Sequence, residues 1–130
     1  MEKNVSKEQM GALPYIIAVD FDGTLVEDKF PEIGEPIEKT WELMKAAQEN
    51  GAKIILWTSR DNQRLKDAVE FCTARDFHFD AINRNLDEVE ILFNNDTRKV
   101  YANEYWDDKA VSFFSRTSSF LSDKMYSDLW

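Results

Sequence analysis

Apolar residues cluster in short uninterrupted runs that alternate with longer stretches of helical spacing. "YIIAV" (Tyr15–Val19) and "KIILW" (Lys53–Trp57) are β-branched and apolar without alternation, the pattern of strands covered on both faces. Between them, Ile37, Trp41 and Met44 share one helix face after Pro36, and Asn50-Gly51 supplies a stop. A second helix is predicted in "TSRDNQRLKDAVEFCTARD", with Leu65, Ala68, Val69 and Cys72 on one stripe. "FDAI" (Phe79–Ile82) reads as a short third strand. "YANEYW" (Tyr101–Trp106) reads as another, and "DEVEILF" fits strand or helix. Strands alternating with amphipathic helices predict an α/β fold: a mainly parallel central sheet, Rossmann-like, with helices on both faces.

The remaining segments are punctuation. "MEKNVSKEQMGA", residues 1–12, is polar and aperiodic and reads as a flexible leader, which leaves residues 13–130 as a single domain. Glu27–Glu35 holds Pro31 and Gly34 and is expected to be loop. Residues 113–130 are rich in serine and aromatics, and Phe114, Leu121 and Met125 could share a helix face that packs on the core or on a partner.

Composition adds limits. Sixteen basic against 25 acidic residues give a net charge of −9, which repels nucleic acid and anionic membranes over most of the surface. No apolar run is long enough to span a bilayer, and Met1–Met10 lacks the apolar centre of a signal peptide. The single cysteine, Cys72, forms no internal disulfide and suits a reducing compartment. A soluble cytoplasmic protein is expected.

The chemistry gathers at strand ends. Ligands of open α/β sheets bind beyond the carboxyl ends of the strands. Asp20 ends the first strand, and Asp22 points the same way if the chain stays extended. Gly23 permits a tight bend. Thr58 and Ser59 follow the second strand, Asp107 and Asp108 follow "YANEYW", and Lys99 lies just before that strand. Two carboxylates about 4 Å apart repel by roughly 4 kcal/mol at an effective dielectric of 20. One lysine cannot offset four acids, whereas a hard divalent cation such as Mg²⁺ can, keeping waters that a phosphate replaces. The gathering reads as a metal-assisted phosphate site. Asp and Gly also make ordinary turns, and a lone D-x-D-G would favour that reading. An EF-hand fails on register: counted from Asp20, position six is Leu25 and position twelve is Pro31.

These residues resemble the signatures of the haloacid dehalogenase-like (HAD) phosphohydrolase superfamily. "DFDGTL" (Asp20–Leu25) is similar to the first and "IILWTSR" to the second; Lys99 matches the third and "WDD" the fourth. They occur in the family's order and span Ile16 to Asp108. The combination also resembles small, uncharacterised, capless members. The resemblance implies a three-layer HAD-type fold and a phosphatase in which Asp20 attacks phosphorus to form an aspartyl-phosphate. Asp22 would serve as general acid and base. It implies that Mg²⁺ is held by Asp20, the Asp22 carbonyl, and Asp107, with Asp108 as the alternative ligand. Thr58, with Ser59 able to share the role, and Lys99 would bind the phosphoryl oxygens, Arg98 being the rival of Lys99. Arg60 would touch substrate or solvent, solvent being preferred.

Val26–Glu35 is only a short flap where relatives carry a cap domain. The site should therefore be open, suiting a bulky phosphorylated substrate or a homo-oligomer whose neighbour closes it, with Phe30 and Ile33 available for closure. Sugar phosphates, nucleotides, phosphorylated polynucleotide ends and phosphoproteins all remain as substrates. Two rival functions are a phosphoacceptor or binding module of the response-regulator kind and a non-catalytic scaffold of the same fold. The former places its acceptor on a third strand, where Asp80 lies inside "FDAI". His78 reads as structural or surface, Trp41 and Trp57 as core, and Cys72 as a buried small hydrophobe.

Overall fold

A computed structural model describes residues 5–109. The expectations for residues 113–130, including Phe114, Leu121 and Met125, lie outside the described residues.

Four strands form one parallel sheet: β1 (Ile16–Val19), β2 (Lys53–Leu56), β3 (Ala81–Ile82) and β4 (Glu104–Trp106), in the order β3-β2-β1-β4. Each apolar run divides between two cores, because successive side chains face opposite sides of a strand. Ile17, Val19, Ile54 and Leu56 face one side, where helices α2 (Glu38–Glu49) and α3 (Asn62–Ala74) bring Trp41, Met44, Ala68 and Cys72. Ile16, Ala18 and Ile55 face the other, against Val89 of helix α4 (Asp87–Phe93) and against Val100. The predicted layering of helices on both faces of a parallel sheet is present.

Several boundaries differ from the pattern. The ambiguous "DEVEILF" is the helix α4, and three acids in its first turn complement the helix dipole. Pro36 pairs with Val26 in an isolated bridge and precedes α2, so it does not occupy the helix's first turn. The third strand is shorter than "FDAI" because Asp80 uses its side chain as well as its backbone. Its carboxylate accepts the Ile54 N–H at 2.7 Å, and its own N–H donates to the Ile54 carbonyl at 2.8 Å. Residues 7–11 of the leader are helical (α1, Lys7–Gly11), not loose. Ser6 and Gln9 form a capping box, each side chain accepting the other's backbone N–H.

The order of strands decides where a ligand can sit. β2 and β3 are laid down on one side of β1 and β4 on the other, so the topology reverses between β1 and β4. The carboxyl ends of those two strands carry Asp20 and Asp107.

Candidate active site

Asp20 leaves β1 with its N–H donated to the carbonyl of Trp106 at 2.9 Å, which ties it to the residue just before Asp107. Ligand oxygens of Asp20, Asp107 and Asp108 all lie within 4.8 Å of one another. Gly23, at φ 85°, makes room for this trio: a Cβ there would collide with the Asp108 carboxylate. Thr24 Oγ1 accepts the Asp108 N–H at 3.2 Å and fixes the turn from the β1 side. Burial, together with the charges of Asp107, Asp108 and Asp22, pushes Asp20 up to about 6, although the Phe21 N–H opposes the shift.

Asp20 and Asp107 open onto a cavity of about 620 Å³ lined also by Asp22, Thr58, Ser59, Asp28, Phe30, Trp57 and Lys109. Thr58 is held by its backbone: its N–H donates to Asn83 Oδ1 at 2.8 Å, and its hydroxyl oxygen accepts the Arg60 N–H at 3.2 Å. Asn83, in left-handed backbone just beyond β3, is thus a supporting residue that no motif marked.

The structure departs from expectation at two cations. Arg60 is neither substrate-facing nor in solvent: its side chain is 1% exposed and pairs with Asp22. Nε and Nη2 donate to the two Asp22 oxygens at 2.7 Å each. The same guanidinium donates to the Pro31 carbonyl at 3.4 Å and the Glu32 carbonyl at 3.0 Å. It lies between the rings of Phe21 and Phe30, 5.0 and 5.1 Å from their centroids. The Asp22 carboxylate consequently stands outside the acidic trio. Only its backbone carbonyl remains for the metal role drawn from the resemblance.

Lys99 is the second departure. Its ammonium sits 5.0 Å from the centre of the Tyr105 ring and lines a different cavity, with Val89, Phe93 and Tyr101. Neither it nor Arg98 lines the acid cavity. Among the described residues the lysine that does is Lys109, whose Nζ lies 3.3 Å from Asp28 and 3.8 Å from Asp108. It directly follows the acid pair, so adjacency to "DD" was the available signal. Trp57, expected in the core, packs partly against the α4-side cluster and also reaches the cavity. Asp80 lies at the amino end of the sheet, away from Asp20.

The molecule is an α/β protein with a parallel four-stranded sheet and an acidic cavity at its topological switch point. No protein-family model and no curated protein sequence matches the chain. Among solved structures it is similar to a conserved protein from Bacteroides thetaiotaomicron, with 35% identity over 88% of each chain and a TM-score of 0.66. The chain belongs to the family of that conserved protein. No helix among the described residues is long and apolar enough to cross a membrane.

Proposed function

We propose that the protein is a HAD-type, Mg²⁺-dependent phosphomonoester hydrolase that works through an aspartyl-phosphate on Asp20. The observation that carries this reading is the trio of carboxylates beyond β1 and β4, two of which, Asp20 and Asp107, line a cavity with Thr58 and Ser59 that is larger than a phosphate needs. The donors fit the metal. They are all oxygen, burial and the neighbouring acids together raise Asp20 to about 6, and among the described residues the lysine beside them is shared with Asp28. Asp20, Asp107 and Asp108 would hold Mg²⁺, which supplies charge stabilisation to the phosphoryl oxygens when bound.

The chain's own residues would do the rest. An Asp20 oxygen attacks phosphorus, the bond to the leaving oxygen breaks, and that oxygen takes its proton from Asp22, which starts the step protonated. The Thr58 hydroxyl and Ser59 donate to the phosphoryl oxygens, and Lys109 takes the charge-neutralising place that motif order gives to Lys99. Asp22 accepts from Arg60 with both oxygens, so it can carry a proton only by giving up one of those bonds. In the second step Asp22, now a carboxylate, takes a proton from the water that attacks the acyl-phosphate and releases Asp20, which restores its protonated form.

Asp20→Asn should abolish Mg²⁺-dependent hydrolysis of an aryl phosphate while the circular dichroism spectrum is kept, and unchanged turnover would exclude Asp20 as nucleophile. EDTA should remove activity and Mg²⁺ restore it; activity indifferent to chelation overturns the metal role.

The grip of Arg60 on Asp22 also favours a second reading, a phosphoacceptor that forms the aspartyl-phosphate and hydrolyses it slowly. A trapped acyl-phosphate that outlives the assay, with no multiple turnover, would select that reading.

A further inference from the structure

We infer that Phe30 and Trp57 form a ring-binding subsite, and that the enzyme acts on monophosphates of alcohols bearing a flat aromatic ring. The inference rests on the phosphatase reading for its chemistry and on separate residues for its selectivity. Both rings line the cavity that holds the acids. Trp57 packs against the α4-side cluster, whereas Phe30 meets Arg60, which also lies over Phe21 of the other cluster.

Phe30 is 57% exposed, yet its position is fixed. Arg60 lies against the ring and bonds the next two carbonyls of the flap, and Asp28 accepts the Phe30 N–H at 3.3 Å. At the flap's base the Glu27 N–H donates to the Glu35 carbonyl at 2.8 Å, and a side chain at Gly34 would collide with the Glu27 carbonyl. A large apolar ring held in this way, and left exposed among the described residues beside a reacting centre, offers surface for a ligand. Flat aromatic rings stack on such a surface more strongly than saturated polyols pack on it, a difference of about tenfold in binding. Charge narrows the class further. Among the described residues the mouth carries Asp28 and one lysine already paired to it, which opposes leaving groups with additional phosphates.

A nucleoside 5′-monophosphate and ribose 5-phosphate make the test, because both lose a primary alcohol and differ only in the ring. The wild type with Mg²⁺ should favour the nucleotide in kcat/KM by about tenfold, mainly through KM. Phe30→Ala should bring the ratio near one, and Phe30→Tyr should keep it. Equal turnover by the wild type, or a preference that survives Phe30→Ala, overturns the inference while the phosphatase reading stands. So does a Phe30→Ala variant that changes only the oligomeric state, since the ring then serves a contact between copies. Calorimetric binding of the same two compounds to Asp20→Asn covers the case of no turnover. Nucleotide binding lost on adding Phe30→Ala supports the subsite even if hydrolysis fails, and no nucleotide binding overturns it.

Discussion

The guanidinium of Arg60 holds the carboxylate of Asp22 through two hydrogen bonds of 2.7 Å, with the arginine side chain only 1% exposed. Removing one partner leaves the other charge desolvated and unpaired, which costs about 3–5 kcal/mol for a buried pair. Arg60→Ala should therefore lower the melting temperature markedly, and it also loses the flap carbonyls of Pro31 and Glu32. Combining it with Asp22→Asn should cost less than the sum of the single changes. Denaturant unfolding of the four proteins of that cycle checks the coupling; additive losses would mean that the pair contributes little.

Gly23 separates the role of backbone from that of charge. Its φ of 85° and the Asp108 carboxylate beside it both exclude a Cβ. Gly23→Ala should cost about 1–2 kcal/mol for the left-handed backbone alone. By displacing Asp108 it should also weaken Mg²⁺ more than it weakens the fold. Calorimetric titration with Mg²⁺ alongside thermal melts reads the two effects separately.

Asp20 makes stability depend on pH in a definite direction. Its folded value is about 6 against an ordinary 3.8, so between those values the folded protein keeps a proton that the unfolded chain has released. Metal-free stability should fall as pH rises from about 4 to about 6 on account of this group. Asp20→Asn removes the penalty, so its melting temperature should exceed that of the wild type at about pH 7.5, with the gap closing towards about pH 4. A gap independent of pH would show that Asp20 is not the group responsible.

The two lysines should behave differently. Lys109 lines the acid cavity and Lys99 does not. Lys109→Ala should lower kcat/KM for an aryl phosphate by about tenfold, less than the loss of an enclosed donor because the ammonium is exposed. Lys99→Ala should change it little. The reverse ranking would return the phosphate-binding role to Lys99.

Cys72 gives a probe of the core. Burial pushes its thiol up to about 12, on the α3 face that packs against the sheet. It should resist alkylation at about pH 8 until denaturant unfolds the chain, and rapid labelling of the native protein would contradict that packing.

Local pattern carries much of the fold. The apolar runs at Ile16–Val19 and Lys53–Leu56 specify buried parallel strands whatever surrounds them, because only a sheet covered on both faces hides such runs. Ligands bind at the carboxyl ends of such strands, so the same runs put Asp20 and Thr58 at one edge, and the shorter run before Asp107 adds the third residue there. Where local pattern is weak, packing decides. "DEVEILF" is a helix because Val89 has the α4-side cluster to enter, and "FDAI" is shortened because Asp80 pairs with Ile54 through its side chain.

The strand-ended acids and the sheet that delivers them were legible along the chain, since both follow from a side-chain period of two and from burial along a single segment. Which cations meet those acids was settled by folding in three dimensions. Arg60 lies 38 residues from Asp22 and Lys109 lies 81 from Asp28, and a long flexible side chain can reach any neighbour that folding supplies. Charge pairing depends on distance and desolvation in space, and neither is written in the order of residues. For that reason Lys99, in the right place along the chain, lies over Tyr105, while Arg60 binds the second acid and anchors the flap.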